Sequence, residues 1–285
     1  MSSLCDLHAH SYFSDGTFSP AELLAEAERI GLDAVVLSDH NTIRGLDEFI
    51  EAAKGSSVEA IPAVEFSTDY QTSYGKTVEL HIVALYIKHE HHDSVNALVR
   101  QMAENKAESN RALVATLREH GYDITYDEVC ATSSGNVNRA HIAAVLTDKG
   151  YTPSIRAAFQ DLLAPDVGLY IPPKRLPVFE AIEYMRSIGA VPVLAHPFLQ
   201  LDEAELRIFL SQAKSHGLVG METLYSTYDE ATTALSRAIA HEYGLCESGG
   251  SDFHGGRKPD ISLGTGRGNL SIPYEFLEKL KAFAG

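Results

Sequence analysis

The sequence has 285 residues, of which 45% are hydrophobic, enough for one large core, and barrels of roughly 200–250 residues are commonly single domains. Its formal net charge is -16, with 39 acidic residues against 23 lysines and arginines, which disfavours long nucleic acid because such binding rests on neutralising many phosphates. The short apolar runs, the N-terminus without a signal-peptide pattern and the three scattered cysteines predict a cytoplasmic protein with no membrane span and no disulfide framework.

The first third of the chain alternates short apolar strands with helical patterns. Strands are predicted at residues 4–10, 34–40, 59–67 and 78–87. A helix is predicted at 20–30, where Ser19 is the N-cap and Pro20 the first helical position, and a second helix near 46–54. Gly31 and Gly55 stand where the C-caps of these two helices belong.

The alternation stops between about residues 93 and 168. A long helix is predicted over 94–120 and shorter helices at 141–149 and 155–163, with no strong strand signal between them. We therefore predict that residues 93–168 form a helical insertion, and that this insertion contributes to substrate recognition.

The alternation resumes at Pro177. Strands at 191–196, 220–225 and 245–248 are predicted to alternate with four helices, the last near 274–283. Repeated β-α units imply parallel strands with helices outside, and their number favours a barrel over an open sheet. Residues 1–92 and 169–285 are therefore predicted to form one α/β barrel.

Side chains that can bind metal stand at or near the ends of the predicted strands, and strand ends in β/α barrels meet at one mouth. His8 and His10 are two residues apart, so both face the same side of an extended strand, and the same holds for Asp252 and His254. Imidazole and carboxylate together suit Mn, Fe, Zn or Co. Three ions with shared carboxylates would use all nine candidates. The candidates are His8, His10, Asp15, His40, Glu65, His81, His196, Asp252 and His254.

Each candidate alone has a simpler interpretation. A lone histidine at a strand end is more often a hydrogen-bonded structural residue than a ligand, and His81, inside an apolar run, would alone be interpreted as a core histidine. The joint occurrence of six histidines and three carboxylates at strand ends favours a metal centre. Apart from His141, which is considered below, the remaining histidines are predicted to be surface residues: His89, His91, His92, His120, His216 and His241.

Five parts of the sequence resemble the ordered motifs of the PHP (polymerase and histidinol phosphatase) family: DLHAHSYFSDGTFSP, LSDHNT, the isolated Glu65, LAHP and GSDFHG. The resemblance covers both ends of the chain and spares the insertion. It implies a distorted seven-stranded (β/α)7 barrel of the PHP type, with a trinuclear centre that uses manganese, iron or zinc.

The resemblance also implies which residues hold which ion. Glu65 is the implied bridge between two ions, and His81 is the position where family spacing after the bridging glutamate varies. The three implied ligand sets are His8, His10, Glu65 and Asp252; Glu65, His81 and His196; and Asp15, His40 and His254.

Two further segments resemble stand-alone PHP phosphoesterases that act on small nucleotides and 3′,5′-nucleoside bisphosphates: GNVNRAHIAAVLTDKGY and YIPPKR. This resemblance implies that Arg139, His141 and Lys174 reach substrate phosphate, and His141 is also a candidate acid for the leaving group. The sequence departs from the pattern at Asn138, where a small residue is expected, and at the basic Arg175. The alternative interpretation is that Arg139 is an ordinary residue at the start of a helix and does not bind phosphate.

The predicted activity is hydrolysis of a small phosphate ester by a hydroxide that bridges two metal ions. The resemblance makes the 3′-phosphate of a 3′,5′-nucleoside bisphosphate the first choice of substrate. The charge of three divalent ions outweighs that of three carboxylate ligands, which would let an acidic protein hold such an anionic substrate. The alternatives are a cyclic phosphate or sugar-phosphate (histidinol-phosphate-like) hydrolase, a 5′-to-3′ exonuclease on short RNA, and a non-catalytic metal-binding accessory domain. No pattern in the sequence indicates an oligomeric state.

Overall fold

The computed structural model describes residues 3–132, 137–164 and 167–285. The chain divides into two compact units. The barrel unit comprises Met1–Asn96 and Leu176–Gly285, and the helical unit comprises Ala97–Arg175. Within the described ranges, every helix is too short or too polar to cross a membrane.

The barrel unit contains one mixed sheet whose strands are short, apart from the two in its middle. The strands are β1 (Cys5–Asp6), β2 (Ala34–Leu37), β3 (Glu59–Gln71), β4 (Thr77–Leu85), β5 (Leu176–Pro177), β6 (Val191–Leu194), β7 (Gly220–Tyr225) and β8 (Cys246–Gly250). Seven of them follow the order β1-β2-β3-β4-β6-β7-β8, and β5 pairs with β3. The predicted α/β barrel is therefore confirmed.

Hydrogen bonds between the first and last strands bring the two edges of the sheet together. The Leu7 N–H donates to the Gly249 carbonyl at 3.2 Å, and the His10 N–H donates to the Phe253 carbonyl at 2.9 Å. A parallel bridge also joins Ala9 to Phe253. The residues after β1 and after β8 therefore lie side by side, which places the motifs from both ends of the chain together.

The expectation of parallel strands throughout is wrong for β4, which runs antiparallel to both β3 and β6. The connection from β3 to β4 is a tight turn, in which the Thr72 N–H donates to the Lys76 carbonyl at 2.8 Å. Such a short connection permits a hairpin, whereas parallel neighbours need a crossover of a dozen or more residues.

Ten helices lie in the described part of the chain, and several begin at a cap. The Ser19 side chain accepts a hydrogen bond from the Glu22 N–H in a capping box, and Gly31 ends the first helix in the left-handed region, at φ 79. The helices are α1 (Pro20–Ile30), α2 (Leu46–Ala52), α3 (His92–Glu119), α4 (Tyr126–Ala131), α5 (Arg139–Asp148), α6 (Ile155–Ala158), α7 (Val178–Ser187), α8 (Glu203–Ala213), α9 (Glu230–Glu242) and α10 (Tyr274–Lys281).

Each unit has its own hydrophobic core. One core of the barrel unit includes Val36, Ile61, Val83 and Val193 from four different strands. The core of the helical unit gathers side chains of α3 to α6 and of the turn that follows α6, and these include Leu113, Leu117, Ile142, Leu146 and Leu163. Because full burial of such a side chain contributes roughly 1.5–3 kcal/mol, each core supplies a substantial part of the stability of its own unit.

The helical unit contains most of α3 together with α4, α5 and α6, and α6 continues into a π-helical turn at Phe159–Leu163. Helix α5 begins at Arg139, two residues before the predicted start. Gly135 and Asn136, which open the segment that resembles nucleotide-acting phosphoesterases, lie outside the described residues.

Candidate metal centre

All nine side chains predicted as metal ligands belong to the barrel unit. Their ligand atoms form overlapping groups in which the atoms of each group lie within 4.8 Å of one another. The groups are His10, Asp15, His40 and His254; His8, His10 and Asp252; His8, Glu65 and His196; and His40, Glu65 and His81. The folded chain thus brings together residues that are up to 246 positions apart in sequence.

His8 and His10 follow β1, and both are fully buried. Their Nε2 atoms lie 3.0 Å apart, close to the spacing of about 3.4 Å expected for two nitrogen ligands of one tetrahedral ion. The Asp252 N–H donates to the His8 carbonyl at 2.9 Å, which ties this segment to the chain after β8. Gly250 permits the close approach, since a Cβ there would lie 2.1 Å from the Cβ of His8.

Glu65 lies within β3, is fully buried, and has histidines around both carboxylate oxygens. Its Oε1 lies 2.8 Å from Nδ1 of His81 and 3.1 Å from Nε2 of His196. The two oxygens face different histidines, which is the arrangement that a carboxylate bridging two ions requires. The distances from Oε2 are 2.8 Å to Nδ1 of His40, 3.2 Å to Nε2 of His8 and 3.4 Å to Nε2 of His10.

The charges in the cluster keep Glu65 ionised, whereas the pKa values of the individual histidines shift in different directions. Burial alone raises the pKa of Glu65, but the surrounding histidines, His40 first among them, hold that pKa well below its usual value. Burial, together with the nearby His40, lowers the pKa of His10 to about 3. Burial lowers the pKa of His81, but the charge of Glu65 and hydrogen bonds raise it to about 10, and the pKa of His8 is also raised above its usual value. Because a neutral imidazole is the form that acts as a ligand, an ion that binds here would displace protons from these histidines.

His196 occupies an unusual backbone conformation beside a buried carboxylate. Its φ is 29, on the positive side that few residues other than glycine adopt. The His196 N–H donates to Oε2 of Glu222 at 2.7 Å, while Oε1 of Glu222 lies 2.7 Å from Nδ1 of His8. Glu222 therefore holds both histidines in place and leaves Nε2 of each directed at Glu65.

Asp15, His40 and His254 form a third part of the cluster. Oδ1 of Asp15 lies 3.1 Å from Nε2 of His254, and its Oδ2 lies 3.8 Å from Nε2 of His40. Nδ1 of His254 lies 2.9 Å from the Asp252 carbonyl, so it donates there and leaves Nε2 as the possible ligand atom.

The loop that carries Asp15 is fixed by the buried Asp39. The carboxylate of Asp39 accepts hydrogen bonds from the Ser11 N–H at 2.7 Å, the Ser11 hydroxyl at 2.6 Å and the Ser14 hydroxyl at 2.7 Å. Asp39 therefore positions the loop of the candidate ligand Asp15, and it is not itself a member of the clustered groups found among the described residues.

Asp252 presents one carboxylate oxygen to the histidines and the other to supporting groups. Its Oδ1 lies 3.2 Å from Nε2 of His10. Its Oδ2 accepts hydrogen bonds from the Tyr225 hydroxyl at 2.8 Å and from Nζ of Lys258 at 2.6 Å. Burial raises its pKa, but the hydrogen bond with His10 and the charge of His8 bring the pKa well below its usual value.

The residues present fit a group of divalent transition metals. Oε2 of Glu65 is a buried oxygen that forms no hydrogen bond of good geometry, although Nδ1 of His40 lies 2.8 Å away, and such atoms are rare in native proteins. A bound cation would supply that missing interaction. The donor set of six imidazoles and three carboxylates also matches the preferences of Mn, Fe and Zn.

Sequence reasoning missed the residues that support the candidate ligands. Glu222, Tyr225 and Lys258 each contact a candidate ligand. One available signal was the acidic residue in the mostly apolar strand β7, since a buried charge requires a partner. Tyr225 and Lys258 carry no comparable signal.

Arg139 and Lys174, predicted to contact substrate phosphate, lie in the helical unit. The guanidinium carbon of Arg139 lies 4.3 Å from the ring centroid of Tyr170, and its Nη1 donates to the Leu163 carbonyl at 3.1 Å. The side chain is thus held at the start of α5 by local contacts. Lys174 is exposed.

His141 and Asn138 form the cap of α5. The Asn138 side chain accepts hydrogen bonds from the N–H groups of Ala140 and His141, and Nδ1 of His141 accepts from the Asn138 N–H at 3.1 Å. Asparagine is a favoured N-cap, which accounts for its presence where the family pattern suggests a small residue. With Nδ1 accepting, Nε2 of His141 carries the proton of the neutral ring.

Comparison with known proteins gives a family match and several relatives. A model of the PHP domain matches residues 6–165. A 5′-3′ exoribonuclease of Haemophilus influenzae is 31% identical over 250 residues, which cover 87% of this chain and 89% of that protein.

Two other relatives have different activities. A phosphoribosyl 1,2-cyclic phosphate 1,2-diphosphodiesterase of Eggerthella lenta is 28% identical over 268 residues, covering 90% of this chain and 97% of the relative. A 3′,5′-nucleoside bisphosphate phosphatase of Chromobacterium violaceum is 27% identical over 252 residues, covering 87% of this chain and 86% of the relative. Sequence similarity alone therefore does not select one substrate.

A solved structure shares the fold. The crystal structure of a protein assigned as a metal-dependent phosphoesterase from Bifidobacterium adolescentis superposes with a TM-score of 0.75 at 25% identity, and the alignment covers 100% of this chain and 98% of that one.

Proposed function

This chain belongs to the PHP family and is a metal-dependent phosphoesterase, and on that basis we propose that it removes the 3′-phosphate from a 3′,5′-nucleoside bisphosphate or a related small nucleotide. The observation that carries the hydrolytic part of this proposal is the buried Glu65, which has histidines facing both of its oxygens. A cytoplasmic location is part of the proposal, and the three unpaired cysteines support it.

The proposal assigns the nine clustered residues to three divalent ions, manganese, iron or zinc. Glu65 bridges the first two ions, consistent with Oε2 facing His8 and His10 while Oε1 faces His81 and His196. The assignment follows the family resemblance and divides the members of the four overlapping groups differently. The sets are His8, His10, Glu65 and Asp252; Glu65, His81 and His196; and Asp15, His40 and His254.

Bound divalent metals lower the pKa of water and neutralise phosphate oxygens. The protein supplies the rest of the electrostatic setting. Its three carboxylate ligands carry less charge than three divalent ions, so the loaded pocket is positive within a chain of net charge -16. Lys258, whose Nζ lies 2.6 Å from Oδ2 of Asp252, adds a further positive charge beside that ligand. An anionic ester is therefore attracted to this site rather than to the surface.

Substrate recognition is assigned to Arg139, His141 and Lys174 of the helical unit. A guanidinium group can bind phosphate through two parallel hydrogen bonds, and stacking on Tyr170 holds the guanidinium of Arg139 in a defined orientation. His141 is the proposed acid for the leaving group, since its Nε2 carries the proton while Nδ1 accepts from Asn138. The bisphosphate phosphatase from Chromobacterium violaceum supports this choice of substrate.

Trimming of short RNA from its 5′ end is the second candidate function. It is favoured by the exoribonuclease from Haemophilus influenzae, which is 31% identical over most of both chains. Both substrates contain a nucleotide with a terminal phosphate, and they differ in the number of nucleotides that follow it. The net charge of -16 favours the shorter substrate, because repulsion grows with the number of phosphates outside the metal pocket.

A comparison of initial rates separates these functions. The purified enzyme, loaded with Mn2+, is given adenosine 3′,5′-bisphosphate, a ribose cyclic phosphate and 5′-phosphorylated oligoribonucleotides of increasing length. The proposal predicts the largest kcat/KM for the bisphosphate. A larger value for the oligoribonucleotides would identify an exonuclease, and a larger value for the cyclic phosphate would identify a diesterase.

Replacing Arg139 with alanine should impair recognition more than chemistry. If its guanidinium binds a remote phosphate, Arg139→Ala removes a charge-assisted hydrogen bond worth about 1.5–3 kcal/mol. The expected loss in kcat/KM is roughly 10- to 150-fold for the bisphosphate. An aryl phosphate, which has no second phosphate, should lose little. Rates for both substrates, measured on wild type and variant, check this expectation.

Arg118 provides a matched control, because it is an exposed arginine on α3 of the same unit. Arg118→Ala should leave both rates unchanged. A purely structural role for Arg139, through its contacts with Tyr170 and Leu163, predicts a lower melting temperature and equal losses on both substrates. Equal losses would remove Arg139 from substrate recognition.

A further inference from the structure

A second group of ligand-type side chains lies in the barrel unit and shares no member with the cluster around Glu65. Asp47, His89 and His92 each offer a ligand atom, and the three atoms lie within 4.8 Å of one another. Nδ1 of His92 lies 3.7 Å from Oδ1 of Asp47. The ring centroids of His89 and His92 are 4.9 Å apart.

The backbone brings these side chains together from two elements. Asp47 is in the first turn of α2. His89 begins the 3-10 turn at His89–His91, and His92 is the first residue of α3. Residues three apart on a helical turn share one face, so the two imidazoles point to the same side, where Asp47 meets them.

The same three residues line one cavity of about 650 Å³. Its remaining walls include the apolar side chains of Leu46 and Ile87. An ion held by Asp47, His89 and His92 would therefore lie on the wall of the cavity. From that position it could exchange with solvent and could contact a molecule within the cavity.

We propose that Asp47, His89 and His92 form a second metal site, for one divalent transition ion of the Zn2+ type, with a coordination position left open toward the cavity. Two imidazoles and one carboxylate suit Zn2+ and similar ions, whereas Mg2+ and Ca2+ prefer sites made of oxygen. Three protein ligands plus one exchangeable ligand is the composition of a zinc site that is not purely structural.

The observed distances allow such a site after small side-chain rotations. Two ligands of a tetrahedral zinc ion lie roughly 3.4 Å apart, close to the 3.7 Å between His92 and Asp47. The side chain of Asp47 is 77% exposed, and His89 is also exposed, so both can adjust. An ion there links α2 to the first turn of α3, and the link should protect both elements against local unfolding.

The experiment counts bound zinc in the holoenzyme. Wild type and the double variant His89→Ala/His92→Ala are dialysed against buffered micromolar Zn2+ and analysed for metal per chain. Wild type should retain one more equivalent than the double variant. His91→Ala is the matched control, since His91 belongs to the same turn but not to the group, and it should retain the wild-type number.

Two further measurements guard against a folding defect and against confusion with the main centre. Phosphoesterase activity of the double variant, loaded with Mn2+ only, should equal that of wild type, because neither residue is among the nine clustered ligands. Asp47→Asn, which keeps the shape of the side chain, should weaken binding of the extra zinc about tenfold or more. Equal zinc counts in wild type and double variant, or an equal loss in His91→Ala, would overturn the site.

Discussion

Glu65→Gln is expected to lower turnover by at least about three orders of magnitude, equivalent to roughly 4 kcal/mol of transition-state stabilisation. Glutamine keeps the size of the side chain but replaces one of two anionic oxygens with an amide that donates hydrogen bonds. Oε1 and Oε2 of Glu65 both face histidines, so either orientation of the amide places a donor where the assignment requires a ligand. Metal content should fall together with activity.

Glu222→Gln is the matched comparison for this variant. Glu222 is also a buried glutamate in contact with His8, but it lies outside the proposed ligand sets. Loss of a group that orients a ligand costs roughly 10- to 100-fold, so Glu222→Gln should retain measurable activity and more of its metal. Turnover and metal per chain, measured for both variants, test the difference. Equal effects of the two substitutions would contradict the bridging role of Glu65.

Asp252→Asn should also reduce turnover by orders of magnitude, with little change in folding. The side chain keeps its shape, and the Tyr225 hydroxyl can still donate to the amide oxygen that replaces Oδ2. What disappears is the negative charge next to His10, which the assignment uses to hold an ion. Turnover, metal content and melting temperature of the variant are the quantities to measure.

Asp260→Asn serves as the control for Asp252→Asn. Asp260 lies eight residues further along, is exposed, and forms a surface ion pair with Arg267 at 2.7 Å. Surface pairs contribute about 0–1 kcal/mol, so this variant should retain full turnover and metal. Near-normal turnover in Asp252→Asn would mean that the reacting centre is elsewhere.

The clustering of the candidate ligands could be predicted because it depends on local pattern. A histidine or carboxylate after an apolar strand is visible in sequence, and the two-residue spacing of His8 and His10 already places both on one side. In a β/α barrel the strand ends converge. Strand order was therefore enough to expect that residues from both ends of the chain meet, as the hydrogen bond from His10 to Phe253 shows.

The supporting groups could not be predicted, because each depends on a contact between distant elements. Glu222 contacts His8, which is 214 residues away. The antiparallel direction of β4 was missed, although it places His81 beside Glu65, because alternating helices elsewhere suggested parallel strands. His81 appeared to be a core residue on hydropathy alone, and its contact with Glu65 depends on the hairpin.

In the helical unit, the sequence pattern alone does not separate a local structural role from a role in substrate recognition. Asn138 departs from the family pattern, but its side chain accepts hydrogen bonds from the first turn of α5 and so has a local structural reason. Arg139 has local contacts with Tyr170 and Leu163. Local structure and recognition can use the same residues, which is why the two-substrate comparison for Arg139→Ala is needed to separate them.

The most direct test of the proposed metal centre is a metal count on wild-type enzyme purified without chelator, followed by an assay after metal removal. Elemental analysis should find more than one transition-metal ion per chain. Dialysis against EDTA should abolish phosphate release from the bisphosphate, and added Mn2+ should restore it. Metal-free protein that remains fully active in EDTA would contradict the account.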